Sequence, residues 1–371
     1  MKRKILIAVI DAGSTDYLNA SDIPNIRQMI KNGFMAEVSS VMPSVTNVNN
    51  VSILTGTFPA EHGITANYWY NPDTGTGTYM EAPEFLEAEN LFEKASAMGL
   101  ESALFTSKNK LRLMLQRGAS LSVSAENPDK ELIEKTGPKE EIYSAAINHW
   151  LFRAMHQTLR EKSYDITYIS TTDYIMHKFP PEHEKAIEHL NEIDRILGMV
   201  LNDNPDMEVY ITADHGMNSK EKALNLEIFL ARHGIKSIFI PVIKDKYVVH
   251  HDNLGGIAYL YLVPESGSSI EKTRQEASGI LKTAPGVEEI YTREEAARLF
   301  RLKPERIGDL VVLAEKKTVF SLYDREIKDI SIRSHGSRYE SSVPVIGFNS
   351  PVRPENLKST PDIVKNLLLT L

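Results

Sequence analysis

The sequence predicts a three-layer α/β/α sandwich around a mostly parallel β-sheet, with a small α+β unit inserted into it. Apolar runs of strand length alternate along the chain with amphipathic helical segments. The strands are continuous apolar runs, which is typical of parallel strands covered by helices on both faces. The chain of 371 residues is also long enough for a large core and two or three structural units.

The predicted elements of the main sheet follow one another in alternating order. Right-handed crossovers between parallel strands would place the helices on both faces of the sheet. The strands are predicted at 4–10, 36–42, 101–107, 164–170, 207–213 and 343–349. The helices are predicted at 24–32, 49–55, 90–98, 140–162, 181–203 and 360–371, and the polar stretch 124–141 is expected to be a surface loop.

The pattern changes after Glu221. Strand-like runs at 256–263, 288–292 and 309–315 alternate with helical segments at 270–284 and 294–300. We interpret residues 222–315 as an inserted α+β cap or lid. Residues 1–221 and 316–371 would form the catalytic α/β core.

Composition restricts the class of function. The net charge of −8 and the isoelectric point near 5.8 argue against nucleic acid or an anionic membrane as the main partner. The absence of cysteine excludes disulfides, thiolate catalysis and Cys-type zinc sites, so any metal must be held by His, Asp, Glu or hydroxyl groups. The apolar run at 5–10 is too short for a signal peptide core or a membrane span, and we expect a cytoplasmic protein, with a homodimer as one option.

Chemically active side chains follow the predicted strands. In open α/β sheets, ligands bind at the carboxyl ends of the strands, and residues after different strands meet there. The residues at these positions are Asp11, Thr46, Lys108, Lys110, Asp173, His177, Asp214, His215 and, before the last strand, His335. Three carboxylates on one sheet edge would repel one another, and a cluster of divalent ions would remove that repulsion. Carboxylates with neutral imidazoles and no thiols suit zinc, with manganese as an alternative.

Each of these residues also has an ordinary structural interpretation. Asp173 and Thr46 could be helix N-caps. The lysines could lie on the solvated face of a helix. In the chemical interpretation, Thr46 is a nucleophile at a helix start, where backbone N–H groups favour a phosphoryl anion. Its hydroxyl would need a base or a metal to become reactive.

The ordered set of motifs resembles the alkaline phosphatase superfamily. The resemblance is to its nucleotide pyrophosphatase/phosphodiesterase-like branch and, within that branch, to phosphonoacetate hydrolases. It covers most of the chain. The motifs are VIDAGSTDYL, MPSVTNVNNVSILTG, EHGITANYWYNP, TSKNKL, TTDYIMHK, ADHGM and RSHG.

The resemblance implies a two-metal hydrolase acting at phosphorus through a phospho-threonine on Thr46. One metal would be held by Asp173, His177 and His335. The other would be held by Asp11, Asp214 and His215, with Thr46 as a further ligand. Asn67 would contact a phosphoryl oxygen, and Lys108 and Lys110 would receive the substrate carboxylate.

The implied reaction is cleavage of the C–P bond of phosphonoacetate to acetate and phosphate. A phosphodiesterase or nucleotide pyrophosphatase acting on small phosphodiesters is the alternative, and a silent metal-binding protein is a third. Two positions depart from the family pattern: Ala12 stands where the family usually has glycine, and Ser337-Arg338-Tyr339 replaces an expected glycine-rich continuation. His149 and His156 are expected to pack or to lie on the surface of one long helix, and His183 and His189 to lie on the face of a charged helix. His250-His251 could reach the substrate.

Overall fold

The computed structural model describes residues 3–246 and 251–371, so His250 lies outside the described residues. The strands are β1 (Ile5–Val9), β2 (Phe34–Ser39), β3 (Tyr68–Asn71), β4 (Thr76–Tyr79), β5 (Ser102–Thr106), β6 (Leu121–Ser124), β7 (Ile166–Ser170), β8 (Glu208–Thr212), β9 (Asn218–Leu224), β10 (Lys236–Pro241), β11 (Ile257–Val263), β12 (Val287–Thr292), β13 (Leu310–Ala314), β14 (Thr318–Phe320), β15 (Ile327–Ser334) and β16 (Ser342–Phe348). The α-helices are α1 (Thr15–Ala20), α2 (Pro24–Asn32), α3 (Thr46–Thr55), α4 (Pro59–His62), α5 (Leu91–Ala97), α6 (Asn109–Leu115), α7 (Lys130–Thr136), α8 (Ala146–Glu161), α9 (Tyr174–Lys178), α10 (Glu184–Asp203), α11 (Leu226–Ala231), α12 (Ile270–Leu281), α13 (Arg293–Phe300) and α14 (Asp362–Leu367).

The central sheet has seven strands in the order β2-β16-β8-β1-β7-β5-β6. Its five strands from β8 to β6 are parallel, and β16 runs antiparallel to both of its neighbours. Strands β1, β5, β7 and β8 are buried along their whole length, as continuous apolar runs predict. The predicted mostly parallel sheet is confirmed.

Helices cover both faces of this sheet. Successive residues of β1 point to opposite faces, so Ile5 and Ile7 join one hydrophobic cluster and Leu6 and Ala8 join another. The first cluster includes buried residues of α3, α5 and α14, and the second includes buried residues of α2, α8 and α10. The three-layer fold class is therefore confirmed. Within the described ranges, no helix combines the length and the apolar character that crossing a bilayer requires.

Two expectations about the stretch between β6 and β7 are wrong. Residues 124–141 contain α7, whose start is capped by Asp129, which accepts a hydrogen bond from the amide of Leu132 at 2.8 Å. Gly137 ends that helix with a φ of 97°. The predicted helix at 140–162 begins only at Ala146, because residues 141–145 form turns before it. The caps of α7 were present in the sequence, but its single buried side chain, Leu132, gave no periodic apolar signal.

A second sheet, β10-β11-β13-β12, is antiparallel and lies within the segment predicted as the inserted unit. One of its faces, including Tyr259 and Val311, belongs to the same hydrophobic cluster as β1. The other face, including Leu260 and Val312, packs on α11 and α12. The unit thus shares a core with the main sheet. The predicted division at 222 falls within β9, and the domain boundaries remain a prediction.

A buried ion pair joins the third sheet, β14-β9-β15, to the turn that follows β15. Nζ of Lys220 on β9 lies 2.8 Å from Oε1 of Glu340, and both side chains are fully buried. The other carboxylate oxygen of Glu340 accepts from the amide and the hydroxyl of Ser337 at 3.0 and 2.6 Å. The backbone oxygen of Glu340 accepts from Gly216 at 2.7 Å. Glu340 therefore ties together the two loops that contain His215 and His335.

We expect Lys220→Met to lower the free energy of unfolding by about 3–5 kcal/mol, because it leaves the carboxylate of Glu340 buried without its cation. Urea denaturation would measure the change. Lys222→Met, on an exposed position of the same strand, should change the free energy by no more than about 0.5 kcal/mol. Similar effects of the two substitutions would show that the buried pair has no special part in stability.

Candidate active site

The register of the central sheet brings the predicted site residues to one edge. Val9 on β1 pairs with Ser170 on β7 and with Thr212 on β8, and Thr106 on β5 also pairs with Ser170. These four strands therefore end at the same level. The loops that follow them contain Asp11, Lys108, Asp173 and Asp214, all of which are buried.

The first group of side chains surrounds His215. Nε2 of His215 lies 3.3 Å from Oδ1 of Asp11 and 3.7 Å from Oδ2 of Asp214. Oγ1 of Thr46 lies 3.3 Å from the same nitrogen. Potential ligand atoms of Asp11, Asp214 and His215 all lie within 4.8 Å of one another, which is close enough for one cation to contact all three.

The second group surrounds Asp173. Nε2 of His177 lies 2.9 Å from Oδ2 of Asp173, and Nε2 of His335 lies 3.5 Å from the same oxygen. The rings of His215 and His335 stack with their centroids 3.7 Å apart. Atoms of Asp173, His215 and His335 again fall within 4.8 Å of one another, so His215 borders both groups.

The hydrogen bonds of three imidazoles orient them towards the carboxylates. Each ring has Nδ1 beside a backbone carbonyl, and because a carbonyl can only accept, each Nδ1 carries the proton. The pairs are His177 with Arg333 at 2.8 Å, His215 with Gly216 at 2.9 Å, and His335 with Ser44 at 2.9 Å. A neutral ring held in this way directs its Nε2 lone pair at the site, which is the usual arrangement of metal-ligating histidines.

The electrostatics of Asp11 also fit a cation. Burial raises the pKa of Asp11 well above its ordinary value, and the nearby carboxylates of Asp173 and Asp214 raise it further. Both carboxylate oxygens of Asp11 are buried and accept no hydrogen bond from the described residues. Burial and the neighbouring His215 lower the pKa of His335 well below its usual value, which keeps this imidazole neutral. Buried carboxylates and neutral imidazoles are a donor set that suits a divalent metal.

The structure does not support the helix-cap interpretations. Asp173 stands at the N-cap position of α9, but its carboxylate makes no capping hydrogen bond. Thr46 is the first residue of α3, the N-cap position is Val45, and neither side chain caps the helix. The hydroxyl of Thr46 instead lies beside His215.

Both lysines are buried, so they do not lie on a solvated helix face. Lys108 and Lys110 are each 8% exposed and line the pocket beside Thr46. Nζ of Lys108 lies 3.9 Å from Oδ1 of Asp173, and Lys110 forms an ion pair with Asp245. Burial by itself would lower the pKa of Lys108. The carboxylates of Asp173 and other nearby acidic residues raise it by more, so the pKa lies above its ordinary value. Burial lowers the pKa of Lys110, and the nearby carboxylate of Asp245 partly offsets this decrease.

Asn67 lines the same pocket. Its Nδ2 donates to Oδ2 of Asp245 at 3.3 Å and to the carbonyl of Ile243 at 3.4 Å, while its Oδ1 has no partner among the described residues. Sequence reasoning missed Asp245, because its contacts depend on how β10 and the loop after it pack against the main sheet. The remaining pocket residues not predicted are Asn47, Leu111, Thr171 and Ile243.

Several other expectations about single residues are resolved. His251 lines the pocket, and burial together with His177 lowers its pKa to about 3. His189 is fully buried and lies 3.0 Å from His149, so the expectation of a surface position was wrong.

The two positions that depart from the family pattern have local contacts. Ala12 has a φ of 57°, the left-handed region that favours glycine, and its amide donates to Oδ1 of Asp214 at 3.2 Å. Arg338 forms an ion pair with Glu289 on β12.

Comparison with known proteins agrees with this geometry. Residues 5–338 match the family model described as type I phosphodiesterase/nucleotide pyrophosphatase. The chain belongs to this family. The resemblance to the phosphodiesterase-like branch of the alkaline phosphatase superfamily is thereby confirmed.

Individual relatives differ in how much they share with the chain. Human ectonucleotide pyrophosphatase/phosphodiesterase family member 1 is 25% identical over 278 residues, which are 68% of this chain but only 28% of that protein's length. The structure of phosphonoacetate hydrolase from Sinorhizobium meliloti 1021, in complexes with phosphonoformate and phosphonoacetate, is 32% identical with a TM-score of 0.87, over 97% of this chain and 94% of that one. Human ectonucleotide pyrophosphatase/phosphodiesterase 5, at 17% identity and a TM-score of 0.72 over 99% and 94% of the two chains, shares the fold.

Family membership, fold and the two groups of potential ligands together support a metal-dependent phosphoryl hydrolase.

The raised pKa of Asp11 predicts how pH affects the metal-free protein. A group whose pKa is higher in the folded state contributes stability below its unfolded pKa, near 4 for Asp, and this contribution is lost as pH rises through the folded pKa. Metal-free Asp11→Asn should therefore melt at a higher temperature than metal-free wild type, by a margin that grows from about pH 5 to about pH 8. Each tenfold difference between the proton affinities of Asp11 in the folded and unfolded states changes the free energy of unfolding by about 1.4 kcal/mol.

The two proteins are compared at each pH because His335 and His251, whose pKa values are lowered, act on stability in the opposite sense. Differential scanning calorimetry gives the melting temperatures. With zinc added the order should reverse, because wild type keeps a carboxylate at the predicted metal site that the variant lacks. A metal-free difference that stays constant with pH would contradict the electrostatic account of Asp11.

Proposed function

We propose that this protein hydrolyses the C–P bond of phosphonoacetate, giving acetate and phosphate through a phospho-threonine on Thr46. The observation that carries the proposal is the pocket: Thr46, Asn67, Lys108 and Lys110 line one pocket at the carboxyl end of the central sheet. A small substrate with a phosphonate at one end and a carboxylate at the other matches this distribution of charge. The 32% identity to a phosphonoacetate hydrolase structure supports the same substrate class.

We propose two zinc ions as cofactors, with manganese as an alternative. Asp173, His177 and His335 would hold one ion. Asp11, Asp214 and His215 would hold the other, with Thr46 as a further ligand. The bound ions would supply Lewis-acid stabilisation of negative charge on the oxygens of the reacting phosphorus centre.

The first chemical step forms a bond between Oγ1 of Thr46 and phosphorus. Thr46 gives its hydroxyl proton to water, the C–P bond breaks, and the electron pair of that bond moves onto the acetate fragment, which takes a proton from water. In the second step a water oxygen bonds to phosphorus and gives up a proton, the bond to Thr46 breaks, Oγ1 of Thr46 takes up a proton, and phosphate leaves. The first turn of α3 offers backbone N–H groups and its positive dipole end to the phosphoryl oxygens.

The lysines would stabilise the departing carbanion. The electron pair of the broken C–P bond delocalises into the acetate carboxylate as an enolate, so charge builds up at the end of the substrate that lies away from Thr46. The ammonium groups of Lys108 and Lys110 would receive this charge. Their carboxylate partners, Asp173 and Asp245, hold them in place before the substrate binds.

A phosphodiesterase acting on small phosphodiesters is the second candidate. The family model and the curated relatives favour it, because their names describe hydrolysis of P–O bonds. The leaving group of a phosphodiester has no carboxylate for the two lysines to receive, and a neutral or aromatic wall would suit it. Among the described residues the pocket wall is charged and contains no Phe, Tyr or Trp, which favours phosphonoacetate.

Thr46→Ala should lower kcat for phosphonoacetate by at least about a thousandfold, because the nucleophile is lost. Phosphate release from the zinc-loaded protein would measure this. Thr46→Ser, which keeps the hydroxyl, should retain measurable turnover, and the metal content of both variants should stay close to that of wild type. Turnover by Thr46→Ala within tenfold of wild type would remove Thr46 as the nucleophile.

Lys108→Ala and Lys110→Ala should each lower kcat/KM for phosphonoacetate by about 10- to 100-fold, because each removes a charged hydrogen-bond donor to the carboxylate. Hydrolysis of bis-p-nitrophenyl phosphate should fall by less than about fivefold. Arg112→Ala is the matched control, because Arg112 lies on the same helix but donates to Asn109 and Gln116. The variants are assayed on both substrates with zinc supplied.

Lys110→Ala also leaves Asp245 without its cation. The double variant Lys110→Met/Asp245→Asn removes both charges and should show the same preferential loss on phosphonoacetate. Equal losses on both substrates would contradict the carboxylate role of the lysines. Turnover of the diester alone by wild type would reverse the order of the two proposed functions.

A further inference from the structure

Helix α3 has three buried asparagines close to Thr46. Asn47 is 1% exposed, and Asn49 and Asn50 are fully buried. A buried side-chain amide has two N–H donors and one carbonyl acceptor, and proteins almost always pair them. The three residues have the same side chain, lie on the same helix and are almost equally buried, so their hydrogen bonds can be compared directly.

Asn49 and Asn50 have structural partners. Oδ1 of Asn49 accepts from the amide of Val41 at 2.6 Å, and its Nδ2 donates to backbone carbonyls before and at the start of α3. Nδ2 of Asn50 donates to the carbonyl of Thr46 at 3.0 Å and to Oδ2 of Asp214 at 3.3 Å, and its Oδ1 accepts from Tyr168 at 2.8 Å. Both amides therefore help to hold α3 and the loop before it.

Asn47 differs from these two. Neither Nδ2 nor Oδ1 of Asn47 has a hydrogen-bond partner among the described residues. Its side chain instead lines the pocket that Thr46, Asn67 and Lys108 also line. An amide that is excluded from solvent and bonded to nothing destabilises the folded protein, since it loses its hydrogen bonds to water without replacement. The amide of Asn47 therefore contributes no hydrogen bond to the fold, and a bound ligand best explains a polar side chain at this position.

The position of Asn47 indicates which part of a ligand it would meet. Asn47 follows Thr46 in the first turn of α3, where the backbone N–H groups and the helix dipole favour an anion. A phosphorus centre bonded to Oγ1 of Thr46 has oxygens next to this turn, whereas the lysines are on a different element, α6 and the residue before it. The Nδ2 group of Asn47 can donate to such an oxygen.

We propose that Asn47 is a further substrate-contacting residue, whose side-chain amide donates a hydrogen bond to a phosphoryl oxygen of the anion bound at Thr46. The inference rests on the proposed function only in that the ligand is a phosphoryl anion. It holds for phosphonoacetate and for a phosphodiester alike, because both present phosphoryl oxygens at the same place.

Inorganic phosphate is the probe, because it has the phosphoryl oxygens without a carboxylate or an ester group. Isothermal titration calorimetry of the zinc-loaded protein would give its affinity without any turnover. Asn47→Leu and Asn47→Ala should each bind phosphate about tenfold or more weakly than wild type, which is the loss expected for one hydrogen bond to a charged group. The alanine variant shortens the side chain, so the same loss there excludes obstruction by leucine.

Thermal unfolding separates a ligand contact from a structural role. Asn47→Leu should melt at or above the temperature of wild type, because it removes an unpaired buried amide. Asn49→Leu is the matched control and should melt at a clearly lower temperature, because it breaks the hydrogen bonds of a paired one. The zinc content of Asn47→Leu should equal that of wild type.

The inference would be overturned by a phosphate affinity within twofold of wild type in the Asn47 variants, by a fall in melting temperature like that of Asn49→Leu, or by loss of zinc from the Asn47 variants. Absence of phosphate binding by zinc-loaded wild type would overturn it too. If wild type binds phosphate but does not release it from phosphonoacetate, the proposed function fails, while the phosphate affinities of the variants still decide the role of Asn47.

Discussion

Repulsion between Asp11, Asp173 and Asp214 is the constraint on which the rest of this site depends. The parallel register of β1, β7 and β8 places the residues after these strands at one level, so the sheet holds the three carboxylates close together. All three are buried, where charge is poorly solvated. Protonation or cations must therefore relieve the repulsion, and the oriented imidazoles favour cations, because their Nε2 lone pairs add further donors to the same space.

Lys108 and Lys110 change the net charge of the pocket. With the carboxylates alone, the pocket beside Thr46 would repel an anionic substrate. The positive charge of Lys108 offsets part of the negative charge of the carboxylates, because Lys108 lies beside Asp173. The charge of Lys110 is mostly balanced by that of Asp245. Two divalent cations in the proposed sites would make the whole pocket net positive. An acidic protein of net charge −8 could then attract a small, highly charged anion to one place on its surface.

Most of the architecture was predictable because it follows from local patterns. The buried strands of the central sheet are continuous apolar runs, and sheet topology brings the predicted site residues that follow them to one edge. Features that depend on packing between distant segments were not predictable. Asp245 reaches Lys110 only because the second sheet shares a core with the first. The burial of His189 depends in the same way on the packing of α10 against α8.

Asn47 shows a further limit of sequence reasoning. It stands beside Asn49 and Asn50 in one helix, and nothing in their spacing separates an unpaired amide from paired ones. The difference arises because Asn49 faces the loop at 41–45 and Asn50 faces Tyr168, whereas Asn47 faces the pocket. Only the three-dimensional hydrogen-bond pattern distinguishes them.

The two sheets contribute differently to the pocket. Thr46, the potential metal ligands and both lysines come from the central sheet, its adjoining helices and the turn after β15. A second part of the wall, formed by Ile243, Asp245 and His251, comes from the segment between β10 and β11 of the second sheet. The groups that would react with phosphorus thus belong to the central sheet and its adjoining elements, while Asp245, which pairs with Lys110, lies in the loop after β10 of the second sheet. Changes in that second wall could alter the leaving group that the pocket accepts without moving the groups proposed to bind metal, because those groups are held by the register of the central sheet.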